Sequence, residues 1–150
     1  MRKPGALDVM QALWAQAHAL EAHSKWMQRH MGVTGPQRLL LRFLAAFPGS
    51  SAADAARWLS LNPGTVSRLV TGLERARLVS RVPDPGGGRR PKLALTRRGQ
   101  AVTRDPEGTV EEAVGAALRD CSPAEAGAAI RFASRLTRNL HATRRRRTGR

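Results

Sequence analysis

Residues 51–79 read SAADAARWLSLNPGTVSRLVTGLERARLV, and two helix starts inside that stretch decide the fold. Ser51 followed three residues later by Asp54 is a capping signature, and the alanine-rich run behind it predicts a short helix ending near Leu59. A tight turn must follow, because Asn62-Pro63 is already a cap residue with proline at the first helical position. Val66, Leu69, Val70 and Leu73 then form the buried stripe of a second helix. Its opposite face shows Thr65, Ser67, Arg68, Thr71 and Arg75, all short polar or cationic. A helix is narrow enough to enter a major groove, where Thr65, Ser67, Arg68 and Thr71 could reach phosphates or base edges.

Beyond Leu78 the periodicity changes. Val79 to Val82 and Lys92 to Thr96 are short strand-like runs joined by Asp84-Pro85-Gly86-Gly87-Gly88-Arg89-Arg90, which predicts a hairpin with a flexible cationic tip. Two short helices, a tight turn and a cationic hairpin make a winged helix-turn-helix. In that arrangement Arg89 or Arg90 can enter the adjacent minor groove, with Lys92 close behind.

On the N-terminal side, Ala6, Met10, Leu13, Ala17, Leu20, Ser24, Met27 and Met31 alternate at spacings of four and three. This heptad seam predicts a long helix packed along another helix. Gly32 and Val33 end it, and Thr34-Gly35-Pro36 opens the next, whose apolar face is Leu40, Phe43, Leu44 and Phe47 up to the Pro48-Gly49 break. On the C-terminal side helical signals return at Arg97, and Asp105-Pro106-Glu107-Gly108 should end or kink that helix. Ser122-Pro123-Ala124-Glu125 is a capping box ahead of an apolar face at Ala129, Phe132, Leu136 and Leu140. The expected fold is mainly α with a small β-hairpin. Its organisation is an N-terminal dimerisation helix over 1–33, a DNA-binding winged helix over 34–98, C-terminal dimerisation helices over 99–143, and a basic, disordered tail over 144–150.

The 150 residues carry 26 Lys plus Arg against 11 Asp plus Glu, a formal net charge of +15, which points to a polyanionic partner. Residues 51–100 hold 10 of the cations and 3 of the carboxylates, so the docking surface belongs to the middle of the chain, with the arginine tail as an auxiliary. No segment approaches 18 uninterrupted apolar residues, and Pro4, Asp8 and Gln11 break any signal-peptide core, so a cytoplasmic location away from membranes is expected. Enzyme readings fail on content: there is no phosphate loop after a strand, no nucleophile elbow and no carboxylate pair in a plausible cleft. His18, His23, His30 and His141 have no metal-ligand spacing, and no cofactor is expected. Cys121, the one cysteine, reads as a structural or incidental thiol.

Taken together, these stretches resemble the MarR family of bacterial transcriptional regulators. The likeness is carried by Gly32-Val-Thr-Gly-Pro-Gln37, Leu61-Asn-Pro-Gly-Thr-Val-Ser-Arg-Leu-Val70, Leu73-Glu-Arg-Ala-Arg-Leu-Val79, and Asp84 through Arg89 to Leu95-Thr96 and Gly99. The resemblance implies an obligate homodimer whose terminal helices interlock, two winged domains reading a pseudo-palindrome in double-stranded DNA, and often a small-molecule pocket. The expected function is a ligand-responsive, sequence-specific repressor. The DNA-contacting set is Asn62, Pro63, Gly64, Thr65, Ser67, Arg68, Thr71, Arg89, Arg90 and Lys92. Trp14, His18, Trp26 and Arg38 could line an effector pocket in the family manner, against the plainer reading of the tryptophans as packing residues and His18 as a surface one. The alternative is a basic architectural or RNA-associated protein that binds by charge alone, and such a protein needs neither a dimer seam nor a capped recognition helix. Arg77 stands where the family usually has glycine, Gly87 where it often has an acidic residue, and Pro106 to Gly108 interrupts its long helix.

Overall fold

The computed structural model describes residues 3–148. Among them the chain forms α1 (Ala6–Met31), α2 (Gly35–Ala46), α3 (Ala52–Leu59), α4 (Pro63–Arg75), β1 (Val79–Val82), β2 (Lys92–Leu95), α5 (Arg97–Arg104), α6 (Val110–Arg119) and α7 (Pro123–Thr148). Two compact units are distinguishable, one reaching Val110 and the other starting at Glu111.

In the first unit α2 is the hub, packing against α1, α3, α4, α5 and β2. Its sequence explains this: Leu40, Leu41, Phe43 and Leu44 are all buried. They meet Met27 and Val33 from the first turn region, Ala55 and Ala56 of α3, Val66, Val70 and Leu73 of α4, and Leu78, Val79 and Leu93 around the hairpin. Phe47, expected on the same face, falls beyond the helix end and is half exposed. Helix starts follow local chemistry. Thr34, Ser51, Asn62 and Thr96 each accept a backbone N–H from the residue three positions on.

The hairpin is antiparallel, with Val79 opposite Leu95 and Val82 opposite Lys92. It is anchored beyond its own two strands. Ser51 bridges Lys92, and Leu93 N–H donates to the Ser50 carbonyl at 2.8 Å, so the residues just before α3 act as a third partner. Gly99 closes the other side: a Cβ there would lie 2.0 Å from the Leu78 carbonyl oxygen, so only glycine lets α5 start this close to β1.

The proline interruption is real, and α5 stops at Arg104. Thr109 N–H closes the break by donating to the Pro106 carbonyl at 3.1 Å. Trp26 of α1 lies against Gly108, whose φ is +67° and whose hypothetical Cβ would sit 2.8 Å from Cη2 of the indole. His23 Nε2 donates to the Gly108 carbonyl at 3.0 Å, which ties α1 to the break.

In the second unit Ser122 and Glu125 form the expected capping box at the start of α7. The helix continues to Thr148, so the stretch expected as a disordered tail from residue 144 is helical through 148; arginine is a good helix former and no proline or glycine intervenes before Gly149. Gly149 and Arg150, the end of that tail, lie outside the described residues.

Candidate nucleic-acid interface

Helices α3 and α4 are joined by Ser60, Leu61 and Asn62. The turn is tight because Ser60 takes φ 55°, and Leu61 N–H reaches back to the Ala56 carbonyl at 3.0 Å. Asn62 then caps α4, its Oδ1 accepting from Thr65 N–H at 2.8 Å, and Pro63 fills the first helical position where no N–H is needed. Asn62, Pro63 and Gly64 therefore build the exposed N-terminus of α4, where unpaired N–H groups and the helix dipole favour an anion.

Burial of Val66, Val70 and Leu73 turns the opposite face outward. Ser67 and Arg68 are exposed, Thr65 and Thr71 half-buried. Two of these side chains are already oriented: Arg68 Nη2 lies 3.4 Å from Thr65 Oγ1, and Thr71 Oγ1 donates to the Ser67 carbonyl at 2.9 Å. Arg68 is thus held along the face that a groove would meet.

Helix α4 ends in a left-handed residue. Arg77 has φ 57°, its N–H donates to the Glu74 carbonyl at 2.9 Å, and Leu78 N–H donates to the Leu73 carbonyl at 2.9 Å. That pair of bonds is the Schellman ending, in which glycine is the usual occupant. Arg77 holds this left-handed conformation with a Cβ, which disfavours it.

The wing tip folds about Asp84. Gly86 N–H donates to Oδ1 at 3.0 Å, Lys92 Nζ lies 3.7 Å from Oδ2, and Gly87 takes φ 75° to close the turn. A Cβ on Gly88 would sit 2.2 Å from Asp84 Oδ2, so a side chain there would have to displace the Asp84 carboxylate. Asp84 thus supplies the local order that Gly87 does not, and Arg89 and Arg90 project from the tip as exposed side chains.

A groove of about 390 Å³ runs between the start of α3 and the wing, and it gathers Arg57, Arg89, Arg90 and Lys92. Arg57 was not among the expected residues, since its place three positions after Asp54 reads as an ion pair within one helix, which it also makes. Only the hairpin's return toward α3 brings it beside the wing cations. In the same groove the Asp54 carboxyl is held below its usual range, first by the Ser51 N–H, then by the Ser51 hydroxyl, with Arg57 and Lys92 adding less.

The four residues expected at an effector pocket do not converge within the first unit. Trp14 is 69% exposed and His18 exposed, whereas Arg38 is 1% exposed. Arg38 lies in the core. Its guanidinium donates to the carbonyls of Val102, Thr103 (3.2 Å) and Asp105 (2.6 Å), where α5 leaves acceptors without intrahelical donors. A cation at that end also complements the helix dipole, so Arg38 caps α5 from inside the core. Trp26 is stacked between His23 and His30, with ring centroids 5.6 and 4.5 Å away.

Residues 31–90 match the profile of the MarR family. The HTH-type transcriptional repressor Rv2887 of Mycobacterium tuberculosis is 35% identical over 83 residues, a stretch that covers 55% of this chain and 60% of that relative. The chain therefore aligns with less than two thirds of the curated relative's length. Among solved structures, MepR of Staphylococcus aureus in complex with DNA superposes with a TM-score of 0.68 at 23% identity over 89% of this chain and 96% of MepR. PcaV of Streptomyces coelicolor, in complex with its natural ligand, gives a TM-score of 0.66 at 24% identity over 91% of this chain and 96% of PcaV. The family match spans the capped recognition-type helix and the wing as far as Arg90, so residues 31–90 are similar to the MarR family, and the chain shares the fold of MepR and PcaV.

Proposed function

We propose that the protein is a sequence-specific DNA-binding transcriptional regulator of the repressor type, acting as a homodimer on a pseudo-palindromic operator and released by a small-molecule effector. One observation carries the reading: a capped helix presents Thr65, Ser67, Arg68 and Thr71 outward on the same compact unit as a wing tip with Arg89 and Arg90. Helix and wing together supply a groove reader and a flanking backbone or minor-groove contact. The relative named as a repressor and the MepR–DNA complex support the same partner. In this reading Asn62, Pro63 and Gly64 receive a phosphate at the α4 N-terminus, and Arg89, Arg90 and Lys92 hold the backbone beside it.

Dimerisation is supported by apolar side chains that a single chain leaves exposed: Leu7, Met10, Trp14 and Leu20 on α1, and Ile130, Phe132 and Leu140 on α7. Two recognition helices fixed about 34 Å apart meet successive major grooves at only one spacing. An effector that prefers another spacing lowers DNA affinity by population shift, without touching DNA. The ligand-bound PcaV structure supports such an effector, for which the exposed α1 side chains Trp14, His18 and Trp26 remain the proposed contacts.

The test is fluorescence anisotropy with fragments from upstream of the protein's own gene and scrambled fragments of equal length, across a salt series. A preference of about a thousandfold or more for one fragment establishes operator binding. Equal affinity for all fragments, falling steeply with salt, replaces the regulator with a charge-driven architectural protein.

A further inference from the structure

Helix α7 separates its chemistry into two opposite faces. Its apolar residues Ala129, Phe132, Leu136 and Leu140 share one side of the helix, as their spacing of three and four requires. Arg131, Arg135 and Arg138, at the same spacing, fall on the other side, and Arg145 and Arg146 continue that row within a sector of roughly 100°. The row is about 22 Å long at 1.5 Å per residue. Between Pro123 and Thr148 the sequence has one carboxylate, Glu125, in the first turn and off this face. Arg131, Arg135, Arg138 and Arg146 are all exposed.

We infer that this arginine row is a second duplex-binding surface, one that holds the phosphate backbone without reading sequence. The physical reasons are three. The helix can bury only its apolar side, because a face of several guanidinium groups is strongly disfavoured in any apolar contact. That leaves the arginine face in solvent whatever covers the apolar one. Guanidinium groups match phosphate oxygens bidentately, and successive arginines here rise about 6 and 4.5 Å along the axis, a coarser spacing than the one charge per about 1.7 Å that a duplex presents. Each arginine can therefore find a phosphate. The surface adds affinity for any duplex and leaves discrimination to α4. It rests on the duplex-binding reading above but makes a separate claim, that non-operator DNA is held by a different element.

The experiment compares the full-length protein with the triple variant Arg131→Gln, Arg135→Gln, Arg138→Gln and with the charge-keeping triple Arg131→Lys, Arg135→Lys, Arg138→Lys. Glutamine and lysine match arginine in helix propensity, and circular dichroism checks that helix content is unchanged. Anisotropy of a labelled scrambled duplex of about 25 base pairs is measured across a salt series. The expected result is a log–log salt slope shallower by up to about 2.7 per chain and affinity at least about tenfold weaker in the glutamine triple, with the lysine triple near wild type. Preference for an operator fragment over scrambled DNA should stay within about twofold of wild type. An unchanged slope in the glutamine triple overturns the inference. So does an equal loss in the lysine triple, which would assign the row a structural role, or a loss confined to binding of phosphatidylserine vesicles, which would assign it to a lipid surface. If wild type shows no preference among fragments, the operator reading falls, while the slope difference still decides the role of the arginine row.

Discussion

Arg77 occupies a conformation that its side chain opposes. At φ 57° an L-residue with a Cβ carries a penalty of about 1–2 kcal/mol, part of which a glycine gives back by gaining freedom in the unfolded chain. Arg77→Gly should therefore raise unfolding free energy by roughly 0.5–1 kcal/mol, measured by urea denaturation. No gain would mean that the Arg77 side chain makes a compensating contact. Gly99 is the opposite case. A methyl there meets the Leu78 carbonyl at 2.0 Å, and both atoms belong to backbone, so Gly99→Ala should destabilise by about 2 kcal/mol or more by thermal denaturation. Arg68 is the proposed recognition side chain. If its guanidinium reads a base, Arg68→Ala costs about 1–3 kcal/mol on the operator and relaxes discrimination, whereas equal losses on operator and scrambled DNA would reduce it to a phosphate contact.

Element boundaries follow capping chemistry, and this is where the sequence was most legible. Thr34, Ser51, Asn62, Thr96 and Ser122 stand at or beside helix starts, and four of these were readable because each cap is a contact within three residues. The hairpin strands were readable for the same reason, being joined by one turn. What escaped depends on distant partners. The pairing of Ser50 and Ser51 with Lys92 and Leu93 joins residues some forty apart, and one or two residues of strand leave no periodic signal. Arg38 read as a pocket cation because the carbonyls that satisfy it are made only when α5 ends beside α2, 64 positions along the chain. The α3 cap also gives a pH prediction. The Ser51 N–H and hydroxyl both donate to Asp54, whose carboxyl is held below its usual range, so this bond stabilises the fold at neutral pH and is lost as pH falls through that lowered value. Ser51→Ala should cost about 1 kcal/mol near pH 7, and the gap to wild type should narrow in acid, followed by denaturant midpoints from pH 7 to 3. A gap that stays constant with pH would show that the hydroxyl serves α3 through the Asp54 N–H alone.

At the scale of the whole molecule, exposed apolar area and net charge pose a joint requirement. A chain carrying +15 repels itself, yet leaves Met10 and Leu20 on α1 and Phe132 and Leu140 on α7 between 44% and 61% exposed, and these two helices gain little by facing water. In the proposed homodimer these side chains are covered by a second copy. The buried core of the first unit, centred on Leu40, Leu41, Val66, Val70 and Leu73, uses none of those four exposed side chains. Breaking the pairing should therefore spare the winged helix. The double variant Met10→Glu, Leu140→Glu should sediment as a monomer where wild type sediments as a dimer, keep its helical circular dichroism, and bind a full operator no more tightly than a half-site. Geometry sharpens the point, because two rigidly linked recognition helices tolerate one half-site spacing. Inserting about five base pairs between the half-sites turns the second onto the far side of the duplex and should reduce wild-type affinity to the half-site value, with no further loss in the monomeric variant. If wild type binds both spacings equally well, the two winged domains are independently tethered, and ligand control through their separation is lost with the rigid dimer.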